Sequence, residues 1–153
     1  NTEQAAQVVA DMQADIAEIV AGLPDHAGEP LTYFHELDGE LFTATSNTYI
    51  GAVYGMLGLE NIADAAADST DYPQLSAEYL IDADPDLIFL ADTKCCGESF
   101  ETVSARPGWD QITAVQTGSV IGMDDDIASR WGPRTVDYLR AAADAVSALL
   151  APA

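Results

Sequence analysis

The chain is almost without positive charge. Lys94 is the only lysine, and 5 basic residues stand against 26 acidic ones in 153, a formal net charge of −21. Nucleic-acid binding needs several Lys or Arg to neutralise phosphates, so that class of partner is argued against. The acidity reads as a solubilising surface, as in proteins from salty or high-GC sources, and it identifies no partner. Long apolar runs are missing too: none approaches the roughly 20 residues that a membrane-spanning helix needs. No signal segment or lipobox is visible, and the chain opens at Asn1 on a helix start, which we read as following a removed leader. Histidine is scarce, with His26 in a predicted loop and His35 in a predicted strand, and nothing around them supports a His-based catalytic site. No nucleophile elbow, G-x-G-x-x-G or Walker phosphate loop is present, and Gly55-Met-Leu-Gly58 falls at a helix end. Asp124-Asp125-Asp126 lacks the glycine and distal glutamate of a calcium loop and reads as solvated.

Cysteine is confined to one adjacent pair, Cys95-Cys96, which cannot form a zinc site by itself and lacks the spacing of redox motifs. Consecutive Cα atoms lie about 3.8 Å apart, below the usual disulfide range of roughly 4.4–6.8 Å. A bridge would therefore distort the peptide, although an oxidising compartment favours pairing. Two readings stay open: a vicinal disulfide shaping a loop, or a pair of small buried residues.

What is present is an alternation of helix and strand patterns. Ala5, Val8, Val9, Met12, Ile16, Ile19, Val20 and Leu23 have helical spacing over residues 1–22 and predict one buried face. Residues 31–37 are rich in strand formers. A polar loop holding Phe42 leads to a helix over 47–57, and an Ala- and Asp-rich loop follows. Ser76 is placed to cap a short helix, with Leu75 and Leu80 at staple positions around it. Leu87-Ile-Phe-Leu90 is the continuous apolar run of a parallel strand buried on both faces. Beyond it a loop carries the cysteines, a brief helix spans 98–103, and Arg106-Pro-Gly-Trp109 makes a turn. Residues 119–123 read as another strand, and Pro133 opens a last helix with Val136, Leu139, Ala143, Val146 and Leu150 on its buried stripe. The implied fold is one α/β domain over residues 1–153, a three-layer sandwich with a mostly parallel sheet. Ligands of such sheets bind at loops after the strands' carboxyl ends, here the loops of Phe42, Cys95-Cys96 and residues 126–131.

With these landmarks placed, Gly39-Glu-Leu-Phe-Thr-Ala44, Tyr72-Pro-Gln-Leu-Ser-Ala-Glu78, Asp84-Pro-Asp-Leu-Ile-Phe-Leu90, Arg106-Pro-Gly-Trp109 and Asp126-Ile-Ala-Ser-Arg-Trp-Gly-Pro-Arg134 occur in order. Together they make the chain resemble the C-terminal lobe of the class III periplasmic substrate-binding proteins that serve ABC importers of iron siderophores and cobalamin. The resemblance implies a two-lobed protein with the ligand in a cleft between lobes, an N-terminal lobe outside this chain, and an extracytoplasmic location, periplasmic or lipid-anchored. It implies capture of an iron chelate, a ferric siderophore first and cobalamin or haem as alternatives, and delivery to an ABC permease, with no cofactor, metal site or catalysis. In cobalamin-binding members an aromatic contacts ligand six positions before a glutamate that docks on the permease; Tyr72 and Glu78 match, with Tyr in place of Trp. Phe42 aligns with a cleft-lining aromatic, and Asp126 and Arg130 match an Asp-x-x-x-Arg pair at the cleft floor.

Plainer readings stand beside these. Glu78 suits a helix first turn by charge alone, Tyr72 could cover a sheet edge, Phe42 could be core, and Asp126 with Arg130 could be an exposed ion pair. Trp109 and Trp131 read as packing residues. Two rival functions are a redox protein or enzyme using Cys95-Cys96 and a chelate receptor with no transporter.

Overall fold

Four parallel strands carry the molecule, in the order β2-β1-β3-β4: β1 (Thr32–Glu36), β2 (Glu60–Asn61), β3 (Leu87–Leu90) and β4 (Val120–Gly122). The computed structural model describes residues 1–124, 132 and 134–151. In register, Tyr33 faces Leu87 and Glu36 faces Leu90, and Ile88 faces Val120. Side chains of a strand alternate between faces, and the two central strands are buried on both. Tyr33, Leu87 and Phe89 enter one apolar layer with Val53, Tyr54 and Leu139. Phe34, Ile88 and Leu90 enter the other with Leu75, Leu80, Val103 and Trp109. This is the expected three-layer sandwich.

Helices α1 (Thr2–Ala21), α2 (Tyr49–Met56) and a long C-terminal helix cover the first face, while α3 (Ala77–Ala83), α5 (Phe100–Ser104) and α6 (Thr113–Gln116) cover the second. A fourth short helix, α4 (Thr93–Cys96), occupies the expected cysteine loop, and a 3-10 turn spans Trp109–Gln111. The C-terminal helix, α7, is Arg134–Leu150; the expected start at Pro133 lies outside the described residues. Its stripe is buried at Val136, Tyr138, Leu139, Ala142, Ala143 and Val146, with Leu150 partly so.

Local caps explain several boundaries. Ser76 accepts from Tyr79 N–H at 3.1 Å and begins α3, with Leu75 and Leu80 buried in one cluster around it, as the staple pattern predicts. Asp84 ends α3 in the left-handed region and then accepts from Thr113 N–H at 2.6 Å. Thr48 caps α2 by accepting from Gly51 N–H at 3.0 Å.

Two expectations need correction. The α1 helix has no fully buried residue. Ile16 and Ile19 in its C-terminal half, and Leu23 just beyond it, pack against the core, while Val8 and Val9 stay 45% and 53% exposed. Residues 60–61, expected as loop, pair with β1 as a two-residue edge strand, too short for any alternation to reveal. Its Asn61 is buried and donates from Nδ2 to the Ala44 carbonyl at 2.7 Å.

Gly51 is where α2 approaches the chain before it most closely, since a Cβ there would overlap the Thr45 carbonyl and the Ser46 Cα. At Gly55, in the same helix, a Cβ would meet nothing. Gly51→Ala should cost about 2 kcal/mol or more by overpacking against backbone. Gly55→Ala should be neutral or gain up to about 1 kcal/mol from helix propensity. Urea denaturation of the two variants measures the contrast.

Candidate functional site

The order β2-β1-β3-β4 reverses direction between β1 and β3, so the loops leaving these two strands part at a topological switch point. That crevice, outside the carboxyl ends, is where open parallel sheets hold ligands. Phe42 comes from the first loop and Cys95–Cys96 from the second.

The Phe42 loop is shaped by its own backbone. Asp38 accepts from Glu40 N–H at 2.9 Å and Phe42 N–H at 3.4 Å, and Leu37 N–H donates to the Phe42 carbonyl at 2.9 Å. Leu41 is held at φ 69°, a conformation costly for a bulky residue. Its own side chain packs inward while Phe42 is left 37% exposed. The segment then runs antiparallel to residues 73–75: Thr43 N–H donates to Pro73, and Leu75 N–H to Leu41. Tyr72, at the end of that segment, is 54% exposed. The structure therefore brings the two aromatic candidates onto neighbouring paired segments of one ribbon, both partly exposed, and Phe42 belongs to neither core cluster. Glu78 is exposed in the first turn of α3. Cys95 and Cys96 are bridged to each other and exposed, so the reading of a buried pair does not hold. Asp126, Arg130 and Trp131 lie outside the described residues. Trp109 is buried, as expected for packing.

Beneath the edge is a charged cluster that sequence reasoning missed. Glu36, the last residue of β1, is fully buried, and Arg106 grips it with two bonds of 2.7 Å, Nη1 to Oε2 and Nη2 to Oε1. Arg106 Nη2 also donates to Glu98 at 3.0 Å, and its guanidinium lies 4.5 Å over the Trp109 ring. Glu36 holds the Arg106 charge more firmly than usual. Asp92, two residues past β3, is buried, and its carboxyl oxygens find no donor among the described residues. No pattern flagged these groups because the partners are far apart in sequence; the one signal was a carboxylate at each central strand's carboxyl end. On the other face of the sheet, buried His35 places Nδ1 2.7 Å from the Tyr54 hydroxyl and 3.2 Å from that of Tyr138. Burial pushes its pKa down to about 3, so it stays neutral and structural in character.

A hollow of about 460 Å³ lies beside the ribbon, lined by Ser46, Asp64, Asp68, Thr70 and Asp71 among others. Ser46 already donates to Asp64 from both its amide and its hydroxyl. Among the described residues no group of three His, Cys, Asp or Glu side chains could hold a metal ion.

Comparison with known proteins gives this edge a context. Residues 1–127 match the family model described as periplasmic binding protein. A cobalamin-binding protein of Halobacterium salinarum is 30% identical over 148 residues, 95% of this chain and 40% of the relative. An ABC transporter substrate-binding lipoprotein of Bacillus subtilis is 27% identical, over 94% of this chain and 45% of the relative. A possible iron-binding periplasmic solute-binding protein of Staphylococcus epidermidis superposes with a TM-score of 0.81 at 25% identity, over 94% of this chain and 55% of that one. The chain thus spans less than half the length of the first two relatives and just over half of the third.

The Asp92 carboxyl makes the site sensitive to pH. Burial, and then the neighbouring Glu36 charge, raise its pKa from 3.8 to about 7. A raised carboxyl pKa means that stability is fully present below the unfolded value and is lost as pH rises through the folded one. Asp92→Asn should therefore match the parent near pH 4 and exceed it by a margin that widens up to about pH 7. The plateau above that pH should be on the order of 3 kcal/mol. Chemical denaturation of both proteins from pH 4 to pH 8 checks it; a constant difference would contradict the assignment.

Proposed function

The chain belongs to the periplasmic binding protein family, and from that premise we propose that it forms one wall of a cleft that captures a cobalamin-type metal chelate for an ABC permease. The observation carrying this reading is the pair of exposed aromatics, Phe42 and Tyr72, on paired segments beside the switch point. Exposed aromatic faces held in place suit stacking on a broad conjugated ligand. Similarity over nearly the whole chain to the Halobacterium cobalamin-binding protein supports the ligand class. A ferric siderophore is the second reading, in line with the likeness to the possible iron-binding protein of Staphylococcus epidermidis.

The opposite wall is an N-terminal lobe. Its seat on this chain includes the first turns of α1, where Val8 and Val9 are exposed. The protein works outside the cytoplasmic membrane as a binding protein rather than an enzyme, either periplasmic or lipid-anchored. Glu78, exposed and early in α3, docks on the permease.

Fluorescence titration of the full-length protein with cyanocobalamin, ferric hydroxamate, ferric catecholate and hemin tests the ligand class. Saturable quenching by cyanocobalamin is expected; quenching by an iron siderophore alone supports the second reading, and none at all overturns both. The present lobe alone lacks one wall. If that wall contributes on the order of 4 kcal/mol, the lobe should bind the same chelate about a thousandfold more weakly. Glu78→Ala in the full-length protein should leave chelate affinity within about twofold while slowing uptake in a transport assay, because an exposed interface charge acts mainly on encounter and register.

A further inference from the structure

Nothing in the transport reading uses the Cys95–Cys96 bridge. Both residues are exposed, on a four-residue helix that begins three residues after β3. This places an apolar, polarisable surface in solvent at the edge of the crevice.

The surface is also fixed. Buried Asp92 sits at the start of α4, and Gly97 ends it at φ 73°, a conformation that favours glycine. Thr93 donates from Oγ1 to the Met123 carbonyl at 3.3 Å, which ties the helix to the end of β4. Beyond the bridge, Glu98 is held by Arg106 at 3.0 Å and by the Thr102 hydroxyl at 2.7 Å. The Phe42 loop closes on this same point: a Cβ on Gly39 would lie 3.9 Å from Glu98 Oε1. The loop of the sulfurs and the loop of the aromatic therefore meet across the switch point, each anchored by its own hydrogen bonds.

We propose that the Cys95–Cys96 disulfide is a ligand-contact platform of the cleft, selecting for chelates that present a conjugated ring. The inference rests on the transport reading for the existence of a chelate and adds the element that discriminates among them. Sulfur packs favourably on aromatic rings at about 5 Å. A bridged pair offers two such atoms without thiol protons to desolvate and without side-chain rotation to arrest. A serine pair of similar size would present two hydroxyls instead, which a ring would strip of water without returning a hydrogen bond.

The test uses the full-length protein in three forms: oxidised parent, parent treated with a phosphine, and the Cys95→Ser/Cys96→Ser variant. The phosphine breaks the S–S bond, gives up two electrons and takes oxygen from water, leaving two thiols. Each form is titrated with cyanocobalamin, hemin, ferric catecholate and ferric hydroxamate, and amide exchange over residues 37–44 is followed without ligand. The expected result is a loss of roughly fivefold in affinity for every ring-bearing probe that the parent binds, in both altered forms. Exchange over residues 37–44 should be unchanged. Affinity that ignores both changes overturns the proposal. So does a loss accompanied by faster exchange over residues 37–44, since the bridge would then act by holding the loop. A parent that binds only the hydroxamate overturns the platform and leaves the transport reading standing, while a parent that binds none of the four overturns both.

Discussion

The grip of Arg106 on Glu36 is the constraint on which the carboxyl edge depends. A fully buried carboxylate at the end of a central strand is costly unless its charge is met, and two bonds of 2.7 Å from one guanidinium meet it. That guanidinium stacks over Trp109 and reaches Glu98, so one side chain joins β1, the turn after α5 and the segment leaving the cysteines. Removing either partner would leave an uncompensated charge in the interior, an effect of about 3–5 kcal/mol for buried pairs. Replacing both by apolar groups could be neutral for stability, so the pair reads as a device for positioning loops rather than for raising stability.

Much of the fold was legible because its signals are local. The run Leu87–Leu90 reads as a strand covered on both faces, and it is. Ser76 with Leu75 and Leu80 marks a helix start from six residues of sequence. What was illegible depends on partners far along the chain. Glu36 and Arg106 are 70 residues apart, and no spacing rule links them. The β2 strand is two residues whose assignment comes wholly from the neighbour they pair with. The α1 helix shows the converse: its apolar spacing predicts a face, but a pattern cannot say whether a partner surface lies within the same chain. At the candidate site, Phe42 could be placed on a loop yet not assigned to core or solvent. The deciding fact is that Leu41 adopts a left-handed backbone and turns inward in its stead.

Charge is handled differently at the surface and at the edge. The excess of 26 acidic over 5 basic residues gives a broad negative field, which salt screens within about 10 Å. Two of the four basic residues described are employed locally: Arg106 beneath the crevice, and Lys94 at 2.8 Å from Asp124 between α4 and the end of β4. A field screened this closely offers little selectivity over distance.

The sheet's margins have a consequence for how this chain behaves by itself. Both outer strands are very short, two residues in β2 and three in β4, and Glu60 on β2 is exposed. Unpaired strand backbone is a template for another chain, and outer strands this brief offer little of it. Val8 and Val9 leave an apolar patch exposed on α1, but among the described residues the sheet presents no long ledge for ordered stacking. Self-association, where it occurs, should proceed through helix faces and remain reversible rather than growing into cross-β fibres.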